Sequence, residues 1–122
     1  MYENWPETTK LLSAHLRNFR AGAPDVMKAF GQIAQAAIAP KALDAKTKEL
    51  IALGIGVAAH CDDCIAFHIK AALDRGATHD EITETLGIAV YMGAGPTAMY
   101  ASHAFEALRQ FDALREGDGL RL

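Results

Sequence analysis

Apolar residues recur every three or four positions along most of the chain, which is the period of an amphipathic α-helix. No run of alternating apolar and polar residues between turn residues indicates a strand. The sequence therefore predicts an all-α fold. The pattern divides into about six helices: Pro6 to about Arg20, Pro24 to just before Pro40, Ala45 to about Ala59, one that contains the cysteines and ends at Arg75-Gly76, one that opens at Thr78, and one from about Thr97 onward.

Local signals mark several helix ends. Asp44 is a favourable N-cap, and Thr78 with Glu81 forms a capping-box pattern whose side chains satisfy free backbone N–H groups. Gly76 can adopt the left-handed conformation that closes a helix. The run 93–96, Gly-Ala-Gly-Pro, is expected to interrupt the last helical stretch, and the tail from Glu116 onward is expected to fray.

The helix over 45–59 is apolar on nearly every side after its first turn, which is typical of a buried helix. Glu49, Ala52 and Gly56 share one stripe, and the two small residues would let another helix approach closely. Gly54 and Gly56 together cost about 2 kcal/mol of helix propensity relative to alanine. We therefore expect packing to require both glycines.

Composition limits the organisation and the partners of the protein. A chain of 122 residues that is 51% apolar can form one core, so we expect a single domain over 1–122. With 12 basic and 15 acidic residues, a net charge of -3 and no block of like charge, binding to nucleic acid or to an anionic membrane is not expected.

The N-terminal residues do not resemble a secretory signal, and the apolar run 50–59 is about half as long as a membrane-spanning helix, which needs about 20 residues. We therefore expect a cytoplasmic protein that does not cross a membrane.

The chain has only two cysteines, in the sequence Cys61-Asp62-Asp63-Cys64. A pair so close in sequence cannot link distant segments, so redox chemistry or metal binding is the better interpretation. On a helix, spacings of three and four place Cys61, Cys64 and His68 on one face, with the Cα atoms of the cysteines close enough for a disulfide. Inert buried thiols are the remaining alternative.

Two features would help these thiols to ionise. The positive end of a helix favours an anion at Cys61, and His68, one turn after Cys64, can accept that cysteine's proton. Asp62 and Asp63 would oppose ionisation if they lay near the sulfurs, and would otherwise act as exposed first-turn carboxylates. Electrostatics thus favour Cys61 as the nucleophile, whereas the imidazole favours Cys64.

Other polar and aromatic residues have simpler interpretations. Glu49 by itself would be a solvated first-turn carboxylate, and His68 a hydrogen-bonded core histidine. No functional role is expected for His15, His79 and His103, and Trp5, Tyr91 and Tyr100 are expected in the core or in subunit contacts.

The runs 48–53 (KELIAL) and 58–68 (AAHCDDCIAFH), with 71–73, 76–78 and 92–96, resemble the carboxymuconolactone decarboxylase superfamily, specifically its alkylhydroperoxidase D-like branch. A glutamate twelve residues before CxxC and a histidine four after it are more specific than CxxC alone. The resemblance covers about 24–100. It implies a helical bundle that assembles into homotrimers or hexamers.

The resemblance also implies an activity: reduction of hydroperoxides, or disulfide exchange with a protein partner, without a bound cofactor or metal. Cys64 would attack the peroxide, Cys61 would resolve the sulfenic acid to a disulfide, and Glu49 and His68 would relay the proton. A thiol protein would supply the reducing equivalents. These four residues are the predicted catalytic set.

One position departs from the family pattern. Better-characterised members carry a histidine immediately before the second cysteine, where this chain has Asp63. His60 could replace it only if the backbone turned that side chain inward. Two alternatives stay open: a lactone decarboxylase, which needs no thiol pair, and a non-catalytic zinc module, in which Cys61, Cys64 and His68 would still need a fourth ligand.

Overall fold

The computed structural model describes residues 4–117, and within that span the chain forms five helices and no strand. The helices are α1 (Trp5–Gly22), α2 (Pro24–Ile38), α3 (Ala45–Ala58), α4 (Asp62–Asp74) and α5 (His79–Gly117). The predicted all-α class is confirmed. The two last predicted helices form one bent element, α5, which continues through Gly117, whereas residues 118–122 of the tail expected to fray lie outside the described residues.

The predicted caps are formed. The Asp44 side chain accepts a hydrogen bond from the backbone N–H of Thr47 at 2.7 Å, which fixes the start of α3. At the start of α5, Thr78 N–H donates to Glu81 Oε1 at 2.9 Å, and Glu81 N–H donates to Thr78 Oγ1 at 3.0 Å. These local contacts explain why both helix starts were predictable.

Helix α5 breaks where the sequence indicated. Ala94 has φ 59° and ψ -146°, outside helical geometry, two residues before Pro96. A Cβ atom on Gly93 would lie 1.9 Å from Thr97 Oγ1, so only glycine fits beside the buried Thr97. The bend separates the first half of α5 from the half that passes the cysteines.

The core lies between α3, α4 and α5. Its largest fully buried side chains include Leu53 from α3, Ile65 and Ile69 from α4, and Ile82 and Leu108 from the two halves of α5. Trp5 of α1 joins the same cluster. The turn that leads into α4 therefore connects two of the three helices that form the core.

Helix α2 lies outside this core and has no buried residue. Its C-terminal end is attached to α3 through Lys48, whose Nζ donates to the carbonyl oxygens of Ala37 at 2.8 Å and Ala39 at 2.7 Å. Val26, Phe30 and Ile33 are each more than half exposed. This helix presents an apolar surface that the single chain does not cover.

None of the five described helices combines the length and the apolar character needed to cross a bilayer.

Candidate functional site

Cys61 and Cys64 are joined by a disulfide, with Cα atoms 5.3 Å apart. Cys61 is not inside the helix as expected but is the N-cap of α4, in extended conformation, because the helix begins at Asp62. Its Sγ accepts a hydrogen bond from Cys64 N–H at 3.2 Å. The sulfur of Cys61 therefore takes the place of the capping oxygen at the positive end of α4.

The turn before Cys61 fixes the position of the pair. His60 has φ 58°, a left-handed conformation that is uncommon for a residue with a side chain. Cys61 N–H then donates to the carbonyl oxygen of Gly56 at 3.0 Å, which ties the turn to the end of α3. The disulfide is thus held against two helices.

A close approach between α3 and α4 lies next to the disulfide. A Cβ atom added to Gly56 would lie 3.0 Å from Cβ of Cys64, closer than side chains normally pack. The expectation that packing requires Gly56 is confirmed. Gly54 is different, since an added Cβ there would make an ordinary 3.6 Å contact with Thr85 Cγ2.

Glu49 and His68 form the second part of the site. Glu49 Oε1 lies 2.8 Å from His68 Nδ1, and the glutamate is only 8% exposed. The interpretation of Glu49 as a solvated carboxylate is therefore wrong. Glu49 lies two turns before Gly56 on α3, and His68 lies one turn after Cys64 on α4, so the pair and the disulfide occupy the same interface between the two helices.

An open cavity of about 510 Å³ leads to this carboxylate–imidazole pair. Glu49 and His68 are in its lining, which is otherwise mainly apolar and includes Ala34, Ile38, Ile51 and Ile55. The cavity lies between α2, α3 and α4. A small molecule in this cavity would contact the Glu49–His68 pair.

A second carboxylate–imidazole pair, not anticipated from the sequence, includes Asp62, the residue that follows Cys61 in the chain. Asp62 Oδ1 is 2.8 Å from Nδ1 of His103, which the sequence analysis left without a function. Their side chains are only 17% and 16% exposed. Because 41 residues separate Asp62 from His103, no local spacing in the sequence predicts their contact. The only signal in the sequence was the helical spacing of Tyr100, His103 and Ala107, which places these three residues on one face of a helix.

His60 does not replace the histidine that the family has before the second cysteine. Its ring stacks on Tyr100, with ring centroids 4.6 Å apart, and its Nε2 lies 3.4 Å from Thr97 Oγ1. The left-handed backbone at His60 therefore directs the imidazole toward α5.

Metal binding was the alternative chemistry for the cysteines. Within residues 4–117, no three His, Cys, Asp or Glu side chains are grouped so that they could hold a metal ion.

The chain is similar in sequence to proteins that are described as uncharacterized. The chain is 46% identical over 88 residues to a protein of Cupriavidus necator, an alignment that spans 70% of this chain and 78% of that protein. It is 33% identical over 107 residues to a protein of Haemophilus influenzae, spanning 88% of this chain and 95% of the other.

Two solved structures are similar throughout. An apo carboxymuconolactone decarboxylase family protein of Legionella pneumophila has 47% identity and a TM-score of 0.84, covering 88% of this chain and 96% of its own. A protein of the same family from Thermotoga maritima, described as a candidate for involvement in an antioxidative response, has 28% identity and a TM-score of 0.83, covering 93% and 97%.

The sequence profile of the carboxymuconolactone decarboxylase family matches residues 24–107, which contain the disulfide and both carboxylate–imidazole pairs. The chain belongs to the carboxymuconolactone decarboxylase family.

Proposed function

We propose that the protein is a thiol-dependent oxidoreductase that reduces hydroperoxides, or exchanges disulfides with a protein partner, by cycling Cys61 and Cys64 between dithiol and disulfide. One observation carries this proposal: the buried Glu49–His68 pair lies at the same helix interface as the bonded cysteines. The antioxidative response named for the Thermotoga relative agrees with it.

In the first step, Glu49 and His68 take the proton of the Cys64 thiol, because only the thiolate attacks. The Cys64 thiolate attacks one oxygen of the peroxide bond and that bond breaks. Cys64 becomes a sulfenic acid, and the other oxygen leaves as an alcohol after it receives the proton back from the relay. Sulfur is oxidised and the peroxide is reduced by two electrons.

In the second step, the Cys61 thiolate attacks the sulfur of the sulfenic acid. The disulfide forms, and the hydroxyl group leaves as water with one proton. A dithiol protein then reduces the disulfide and is itself oxidised. The distance between Cys61 and Cys64 supports this step, because their Cα separation of 5.3 Å lies in the range that disulfides adopt.

The cavity beside Glu49 supports an organic hydroperoxide as the substrate. Its lining is mainly apolar, and its polar side chains are those of Gln35, Lys48, Glu49 and His68. An apolar body with one polar end fits that distribution.

The test begins with fully reduced protein and one equivalent of an organic hydroperoxide. We expect rapid loss of both thiols, with mass spectrometry identifying a Cys61–Cys64 linkage. Cys64→Ser should consume no peroxide. Cys61→Ser should consume it once and stop at a sulfenic acid on Cys64, which a sulfenic-acid reagent would label.

Two results would reject the proposal. Peroxide consumption at the native rate by Cys64→Ser would show that the nucleophile is wrong. Unreactive thiols, together with lactone decarboxylation that survives in the double Cys→Ser variant, would favour the lactone decarboxylase alternative instead.

A further inference from the structure

One wall of the cavity beside Glu49 is not held by the core. Helix α2 forms this wall with Ala34, Gln35, Ala37 and Ile38, while the rest of the lining comes from α3 and α4. Helix α2 has no buried residue, and none of its residues belongs to the core cluster. The position of the wall therefore depends on contacts outside the core.

Lys48 of α3 supplies such a contact. Its Nζ donates to the carbonyl oxygen of Ala37 at 2.8 Å and to that of Ala39 at 2.7 Å. Ala37 lies in the last turn of α2, and Ala39 is its C-cap. Among the described residues, these are the two hydrogen bonds that join residues 24–39 to another helix.

The end of α2 has few other donors. The last carbonyl groups of a helix have no partner inside it and need a donor from elsewhere. Ala39 has φ -56° and ψ 130°, which is not the left-handed conformation that closes many helices, and Pro40, which follows it, has no N–H group. The last turn of α2 contains no basic residue. The ammonium group of Lys48 therefore provides both a donor and a favourable charge at this helix end.

We propose that Lys48 is a positioning residue that determines which hydroperoxides the cavity accepts: by capping α2 from α3, it holds α2 as the wall against which the apolar body of a larger substrate packs. Lys48 has no part in the proton relay. The effect on substrate range rests on the proposed function, whereas the effect on the shape of the cavity does not.

The place of Lys48 on α3 suits this role. It directly precedes Glu49, and consecutive side chains of a helix point in different directions. The Glu49 carboxylate meets His68 at 2.8 Å, whereas the Lys48 ammonium group meets the end of α2. The same turn of α3 therefore contacts the acid–base pair with one residue and the opposite wall with the next.

The wall contributes to binding through the apolar surface that it covers. Ala34 and Ile38 of α2 line the cavity together with Ile51 and Ile55 of α3. The apolar body of an organic hydroperoxide is removed from water by both sets of side chains, and this burial favours binding. Hydrogen peroxide has no apolar body. Loss of the contact made by Lys48 should therefore weaken the binding of organic hydroperoxides alone.

The experiment compares Lys48→Met with Lys48→Arg. Methionine keeps an unbranched apolar chain but has no N–H donor, whereas arginine keeps the charge and can donate to two carbonyl oxygens. Lys41→Met is the matched control, because Lys41 is exposed in the connection between α2 and α3 and its replacement removes the same charge. Each variant is assayed with cumene hydroperoxide and with hydrogen peroxide, with excess dithiothreitol as the reductant.

Lys48→Met should raise the KM for cumene hydroperoxide by about tenfold. Its kcat should stay the same, because the interaction lost is made equally by the bound substrate and the transition state. The kinetics with hydrogen peroxide should not change. Lys48→Arg should restore most of the KM, and Lys41→Met should behave like the parent.

An equal loss with both peroxides would overturn the proposal, because Lys48 would then act on the proton relay or on folding. Unchanged kinetics in folded Lys48→Met would overturn it as well. Should Lys48→Met fail to fold, Lys48→Gln, which is shorter and uncharged, is measured in its place with the same expectation.

A second measurement needs no reaction. Cumyl alcohol, the product of cumene hydroperoxide, is titrated into the disulfide form while NMR follows the methyl signals of Ile38 and Ile51, which line this cavity. Ile88, which lines a different cavity between α3 and α5, provides the control signal. Lys48→Met should raise the Kd reported by Ile38 and Ile51 by about tenfold.

An equal Kd in the parent and in Lys48→Met, or no binding by the parent, would overturn the proposal. If the parent reduces neither peroxide while the expected difference in Kd is seen, Lys48 holds the wall as proposed and only the reaction class is wrong.

Discussion

Lys46 Nζ lies 2.9 Å from Glu81 Oε2, an ion pair that joins the first turns of α3 and α5 across 35 residues. The other oxygen of Glu81 accepts the N–H of Thr78 in the capping box. The hydrogen bond from Lys46, followed by that from Thr78, holds the pKa of Glu81 below its ordinary value of 4.5. One carboxylate therefore caps a helix and connects two helices.

The first prediction concerns stability in acid. A carboxyl whose pKa is lowered by folding stabilises the protein above its unfolded pKa, and that contribution disappears as the pH falls through the folded pKa. Protonation of Glu81 should therefore lower the melting temperature as the pH decreases below about 4.5. Glu81→Gln should weaken this dependence, whereas Glu84→Gln, exposed on the same helix, should not. Equal pH profiles for both variants would contradict the prediction.

The second prediction concerns Gly56. Gly56→Ala should destabilise the protein by about 1–3 kcal/mol, because the new methyl group meets Cys64 Cβ at 3.0 Å in a packed interface. Gly54→Ala is the matched control, since its methyl group makes an ordinary contact and alanine gains up to about 1 kcal/mol of helix propensity. Denaturant unfolding measures both, and equal effects would contradict the close approach.

The third prediction concerns the proton relay. Glu49→Gln keeps a hydrogen-bond acceptor for His68 but removes the carboxylate from the proposed proton relay, so peroxide consumption should fall by roughly 10²–10⁴-fold. The loss should diminish as the pH rises, because Cys64 then ionises without help. Thiol titration with stopped-flow mixing measures both effects. A pH-independent loss would show that Glu49 acts only in folding.

The sequence predicted those features that depend on neighbours in the chain. The caps at Asp44 and Thr78 and the break near Ala94 each arise from a few consecutive residues, so composition and spacing locate them. The pair Glu49–His68 came from a family resemblance, and its two atoms meet as the motif required. Roles for these residues in catalysis stay predictions.

The features that escaped prediction depend on how helices pack. His103 meets Asp62 because the bend at Ala94 redirects the second half of α5 past the start of α4, and nothing local to either residue records that path. Cys61 was placed inside a helix, but the left-handed turn at His60 delays the helix by one residue. Helix propensity likewise did not show that a Cβ atom would fit beside Gly54.

The last prediction concerns assembly, which the family resemblance implies as a homotrimer or hexamer. Helix α2 has no buried residue, and its side chains Phe30 and Ile33 are 59% and 65% exposed, as is Ile55 of α3 at 64%. Such a surface is unfavourable in water unless another chain covers it, and a second copy of this chain is the expected occupant.

Light scattering after size exclusion should therefore give a mass that is a multiple of 13.1 kDa, and dilution should shift it toward the monomer. Ile33→Glu should favour the monomer, because burial of the new charge between subunits is strongly unfavourable. Gln32→Glu, exposed on the same helix, adds the same charge and should leave the assembly intact. A wild-type protein that elutes as a monomer at high concentration would contradict the prediction.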